Sequence, residues 1–279
     1  MNETLRDSII AFSLVGVIML VGFGGLFLYS GQFTPYSVVV SGSMQHSDDS
    51  AFGIIDTGDV VIVRYPDKVG GVEGIQSYVD GYHNNYSKFG EFGDVIIYER
   101  GRGYNPVIHR PIVWLEWNGT TWDAPSLNGF PGWTISKSGT PDGMGLSGEL
   151  TLTNIGFAKK TVSLTLTPAL LGAGQTGGFV TMGDSTNNMK FDQTSGIYPY
   201  LVNENIKYVS GFEIPWIGAL KMMWEKNPNV SQIPANSIPS LITSIVCLAV
   251  AIIGLALALQ IASSAKRDRE REREEDGEK

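Results

Sequence analysis

IIAFSLVGVIMLVGFGGLFLY, from Ile9 to Tyr29, contains no charged residue and only one plainly polar one, Ser13. As a helix rising about 1.5 Å per residue it is about 30 Å long, the hydrocarbon thickness of a bilayer. A second run, LITSIVCLAVAIIGLALALQI from Leu241 to Ile261, repeats the pattern, and Pro239 stands near its start, where a helix tolerates proline. Two membrane helices, over 9–29 and 238–262, therefore bracket residues 30–237 as one folded domain.

This partition explains the composition. Charged residues are only 17% of the 279, because the two apolar runs contribute none, and a hydrophobic share of 43% excludes a disordered or coiled-coil chain. A net charge of -8 removes the basic face that nucleic-acid binding requires. Cys247, the single cysteine, excludes an intrachain disulfide and a cysteine-based zinc site, and His46, His83 and His109 are too few for a multi-histidine metal centre.

Lysines and arginines orient the chain. Lys266, Arg267, Arg269, Arg271 and Arg273 follow the second run, whereas its other side offers only Lys221 and Lys226. Arg6 precedes the first run, and no basic residue follows it until Arg64. Residues 1–8 and 263–279 are therefore expected in the cytoplasm and the 30–237 domain on the extracytoplasmic face of the cell membrane. The first run is longer than a signal-peptide h-region and lacks a small-x-small site before Phe33, so it reads as an uncleaved anchor. The tail KRDREREREEDGEK alternates sign at helical spacing and is expected to continue the second helix. Sequons at Asn85, Asn118 and Asn229 lie on the expected outer side.

Within the domain, runs rich in Val, Ile, Thr and aromatics recur at Val60–Arg64, Val95–Tyr98, Val107–Trp117, Glu149–Thr153, Thr161–Thr167, Phe179–Met182 and Lys207–Phe212, separated by Gly, Asn, Asp and Pro clusters. The fold class is mainly β. Glycines crowd 118–178, which predicts tight turns and an inserted β unit in which GELTLTNIGFAKKTVSLTLTP forms a hairpin-like pair. IPWIGALKMMW, after Phe212, is expected at the membrane surface.

Chemistry has few carriers. Ser43 ends a β run in a Ser-Gly-Ser-Met turn, and a serine there is a nucleophile only beside a base. His109 and Arg110 are strand neighbours whose side chains point to opposite faces. Asp184 and Asp192 are the acids best placed to orient an imidazole. Taken singly, the turn serine and the strand histidine are ordinary structural residues. A calcium loop from Asp184 would need Gly and Glu where Met189 and Ser195 stand, and no phosphate-binding, dinucleotide or zincin motif is present, so no metal or cofactor is expected.

Taken together and in order, these segments say more. Ser43 in SGSM, GDVV from Gly58 to Val61, GDVIIY followed by IHR at Ile108–Arg110, and the GD, NN and DQ pairs between Gly183 and Gln193 resemble the successive boxes of type I signal peptidases. The similarity is to the archaeal and endoplasmic-reticulum subclass, which uses histidine where bacterial enzymes use lysine. VSGFEIPWIGAL from Val209 to Leu220 resembles the segment after the last box, and the resemblance covers somewhat under half of the chain.

The resemblance implies a membrane-bound serine endopeptidase that removes signal peptides after small residues, with Ser43 as nucleophile, His109 as general base and Ser41 aiding the oxyanion. Two residues, Ser185 and Thr186, interrupt the family's compact GDNN. Anchoring on Asn187-Asn188 makes Asp192 the triad acid and Asp184 a structural support, with the reverse assignment left open. Gln45-His46 replaces a proline usual in the family, which implies a less rigid turn. Implied partners are signal-peptide-bearing preproteins, membrane lipid and the translocation channel. The competing reading is a non-catalytic membrane-anchored β domain, such as a surface or adhesion module.

Overall fold

The structure, a computed structural model, describes residues 3–277, so residues 1–2 and 278–279 of the expected cytoplasmic termini lie outside the described residues. Helix α1 (Glu3–Ser30) leads into β1 (Tyr36–Val38), a single 3-10 turn (Gly42–Met44) and β2 (Val60–Arg64). After α2 (Tyr78–Asn84) come β3 (Ser87–Lys88), β4 (Glu91–Phe92), β5 (Ile96–Tyr98) and the long β6 (Val107–Trp117). Then follow β7 (Trp122–Asp123), β8 (Trp133–Ile135), β9 (Gly148–Ile155), β10 (Lys160–Leu166) and β11 (Gly177–Met182). Helix α3 (Asp192–Ser195), β12 (Ile206–Ile214), α4 (Ile217–Trp224) and α5 (Ser237–Gly277) complete the chain.

Helices α1 and α5 are long and apolar enough to cross a membrane, with mean hydropathies of 2.2 over Phe12–Ser30 and 2.7 over Ser237–Ala262. Their apolar side chains, among them Phe12, Leu20 and Leu248, face away from the protein. A soluble core helix would bury such a surface. The helix α5 runs on through the charged tail to Gly277.

The main sheet is antiparallel, in the order β1-β2-β12-β5-β6-β11, with β7 folding back on β6. A bulge in β12 between Ser210 and Phe212 re-aims the strand where it joins β2. β8, β9 and β10 form a second, three-stranded sheet within the glycine-rich 118–178 segment, whose only helices are the 3-10 turns at Pro125–Leu127 and Pro168–Leu170. The period-two pattern of β10 turns Val162, Leu164 and Leu166 inward, where they share one core with Ile112, Val113 and Leu115 of β6. The insertion is thus fused to the main sheet by a continuous core.

Two helical elements refine the sequence reading. Helix α2 starts at a capping box in which Ser77 accepts from the Asp80 N–H and the Asp80 carboxylate accepts from Ser77. The apolar segment expected at the membrane surface forms α4, which buries Gly218, Ala219 and Met222 and leaves Ile217, Leu220, Met223 and Trp224 outward.

Candidate active site

Three adjacent strands and one short helix build the centre. His109 on β6 lies opposite Ile96 of β5, and Arg110 lies opposite Met182 of β11. Strand alternation sends these two neighbours to different faces. His109 Nδ1 meets Asp192 Oδ2 at 2.7 Å, while the Arg110 guanidinium meets the Asp184 carboxylate at 2.5 Å through Nη2 and at 2.9 Å through Nε. The two acids left open by the sequence therefore occupy separate positions, Asp192 on the imidazole and Asp184 on the guanidinium.

Asp192 is fully buried at the start of α3, anchored by buried Phe191 before it. Its Oδ2 also accepts from Tyr98 Oη on β5 and from Thr181 Oγ1 on β11, both at 2.7 Å. Burial first, and then the Asp192 charge, push the Tyr98 phenol far above its ordinary range, which keeps it a donor. An acceptor-only carboxylate places the His109 proton on Nδ1 and leaves Nε2 as the basic nitrogen. Nε2 makes no hydrogen bond among the described residues.

Ser43 stands in the 3-10 turn after β1, half-buried, its Oγ 3.2 Å from Ser41 Oγ. Ser43 and His109 line one cleft of about 670 Å³, together with Val38, Val40, Ile97 and Ile108. Gly183 borders both: a Cβ added there would press on the Ser43 carbonyl oxygen and stand 2.8 Å from His109 Nε2. The Ser185 N–H donates to that same Ser43 carbonyl at 2.9 Å. The chain after β11 therefore fixes the serine turn near the histidine, with no hydrogen bond between Ser43 Oγ and His109 Nε2.

Side-chain ties hold the turn from its other side. Gln45 Oε1 accepts from the Thr57 N–H at 3.0 Å, Thr57 Oγ1 donates to Ser41 O at 3.1 Å, and His46 Nδ1 pairs with buried Asp56 at 2.8 Å. The looseness expected from the missing proline is offset by these contacts, because Gln45 and His46 themselves fasten the turn to 56–57. Gly42 N–H donates to Gln232 Oε1 at 2.8 Å, tying the turn to the segment before α5 as well.

Several contributors lay beyond the sequence reading. Tyr98 and Thr181 have no local signature, since their role depends on strand neighbours. Lys160 did have one: it shares the inward phase of Val162, Leu164 and Leu166, and it is 1% exposed. Its Nζ donates to Gly183 O at 3.2 Å and Asp184 O at 3.3 Å. Arg110 also spends donors on Phe92 O at 3.0 Å, Gly93 O at 2.9 Å and Lys88 O at 3.1 Å, fixing the β3–β4 loop.

Among the described residues, no group of three or more His, Cys, Asp or Glu side chains is arranged to hold a metal ion. What the centre offers is a buried acid, an oriented imidazole with a free basic nitrogen, and a hydroxyl in the same cleft. No protein-family model matches the chain, and no curated protein shows significant similarity to it.

Proposed function

We propose that the protein is a membrane-bound serine endopeptidase that removes signal peptides from exported preproteins after small residues. The observation that carries this reading is the buried Asp192–His109 pair, whose Nε2 is unengaged and whose histidine lines the same cleft as Ser43. In the reaction His109 Nε2 takes the Ser43 proton as Oγ attacks the scissile carbonyl, and then returns it to the leaving amine. Asp192 holds the Nδ1–H tautomer and balances the imidazolium, while the Ser41 hydroxyl, beside Ser43 Oγ, donates to the oxyanion. Water then releases the acyl group by the same proton path.

The cleft supports an extended peptide as substrate. Its wall includes β1, an edge strand paired only with β2, and edge strands accept a peptide through main-chain hydrogen bonds. Its lining of Val38, Val40, Ile97 and Ile108 suits small apolar side chains. Proximity to the bilayer suits a membrane-delivered substrate: the connection from α1 to Ser43 spans at most about 45 Å even fully extended. In this reading both termini are cytoplasmic and the β domain faces outward, where preproteins emerge from the translocation channel.

The test is cleavage of a preprotein bearing a small-x-small site by the full chain in detergent or membranes, against Ser43→Ala and His109→Ala. Mature product from wild type alone is the expected result. No product from wild type, or equal cleavage by Ser43→Ala, would leave the non-catalytic surface-domain reading in its place.

A further inference from the structure

The inserted sheet reaches the serine through one side chain. Lys160, the first residue of β10, is almost wholly buried, and the strand's inward phase carries its ammonium to the carbonyls of Gly183 and Asp184. A buried ammonium is costly to maintain, and burial lowers the Lys160 pKa, opposed by the charges of Asp184 and Glu91. A methionine or leucine would fill this volume at less cost, so the charge itself calls for a role.

The peptide planes supply one. The Asp184 carbonyl that Lys160 Nζ engages belongs to the same peptide unit as the Ser185 N–H, and that N–H donates to Ser43 O at 2.9 Å. A cation on the carbonyl end polarises the unit and strengthens the bond made by its N–H end. On the neighbouring peptide, Nζ also holds the Gly183 carbonyl, and Gly183 is the residue whose added Cβ would meet both Ser43 O and His109 Nε2. Arg110 grips the same segment through the Asp184 side chain.

We propose that Lys160 is a positioning residue for Ser43, orienting the Gly183–Ser185 backbone that fixes the serine turn against His109. The inserted β unit is then a working part of the site. This role rests on the reading of Ser43 as the nucleophile, but the restraint on the loop is measurable without turnover.

The experiment compares full-length wild type in detergent with Lys160→Met and Lys160→Arg, each shown to be folded by thermal melting. Hydrogen exchange is followed in the 183–188 segment, and preprotein cleavage gives kcat and KM. Lys160→Met is expected to exchange about tenfold faster in 183–188 while 148–155 stays protected. Its kcat should fall about 10–100-fold with KM within about twofold, because the cleft lining is untouched, and Lys160→Arg should restore both readouts substantially. Should Lys160→Met fail to fold, Lys160→Gln, which retains a donor without the charge, takes its place. Unchanged exchange in 183–188, or a loss that falls on KM alone, overturns the proposal. Failure of the peptidase reading shows separately, as wild type without Ser43-dependent cleavage, and the exchange result then decides the role of Lys160 by itself.

Discussion

His109 and Asp192 are 83 residues apart in the chain and 2.7 Å apart in the interior, joined through Nδ1 and Oδ2. Arg110, next to His109 on β6, forms a second buried pair with Asp184 on the opposite face of that strand. The two aspartates should therefore fail in different ways. Asp192→Asn is expected to leave the fold intact and lower kcat by about 10³–10⁴, since an amide cannot hold the productive tautomer. Asp184→Asn leaves a buried guanidinium without its charge partner and should cost stability, about 3–5 kcal/mol for a broken buried pair. Preprotein cleavage and thermal melts on both variants check this, and a stable but inactive Asp184→Asn beside an active Asp192→Asn would reverse the roles.

The strands were legible because their composition and alternation are local: β6 covers Val107–Trp117 as its apolar pattern predicts. The opposite aim of His109 and Arg110 followed from period two alone. Which acid each would meet did not, because Asp184 and Asp192 sit in one Asn-rich stretch and are separated only by the turn into α3. Helix α2 opens on a capping box of Ser77 and Asp80, but it is only seven residues long and carries Gly81, a poor helix former, so its local signal is weak. Lys160 was readable by phase, yet a lysine beside Lys159 looks like a solvated turn until the continuous core between the sheets is known.

Gly183 and Ser41 separate steric from electrostatic demands near Ser43. Gly183→Ala places a methyl against the Ser43 carbonyl and 2.8 Å from His109 Nε2, so the turn must withdraw from the imidazole. Cleavage should fall below detection. In the proposed reaction Ser41→Ala would remove one oxyanion donor without opening a clash, so its loss should stop at about 10²–10³ in kcat. Equal rates for the two variants in the preprotein assay would show that Gly183 does not set the distance between serine and histidine.

Beneath the serine turn, Asp59 and Glu213 are buried close to Asp56. Asp59 accepts from the backbone N–H groups of Asp56 and Trp216, and Glu213 accepts from Gly53 N–H. Burial, aided by neighbouring carboxylates, raises Asp59 to about 7 and Glu213 to about 8. Carboxyls raised in the folded state contribute stability that is complete below their unfolded values, near pH 4, and is lost as pH climbs through 7 to 8. Wild-type melting temperature should therefore carry a declining component between pH 5 and 8.5. Glu213→Gln, which keeps an acceptor for Gly53, should flatten that decline and melt higher than wild type at pH 8 by about 2–4 °C. Parallel curves for the two proteins would exclude Glu213 as a source of the pH dependence.

Tyr98 and Thr181 decide how firmly Asp192 is held. Each donates to the oxygen that also accepts from His109 Nδ1–H, and they come from the strands on either side of β6. Removing one donor from a buried carboxylate leaves two, so the acid stays in place but can swing relative to the imidazole. A hydrogen bond to a charged group is worth about 1.5–3 kcal/mol, which corresponds to roughly 10–100-fold in kcat if the loss is felt only when the imidazolium forms. Tyr98→Phe should show that loss with KM unchanged, because Tyr98 is fully buried and outside the cleft lining. Thr181→Val should behave alike, and the double variant should lose more than the product of the two, since the Asp192 carboxylate then keeps His109 as its one donor among the described residues. Strict multiplicativity of the rates would mean that the two hydroxyls act independently and that the three-strand convergence on Asp192 is not cooperative.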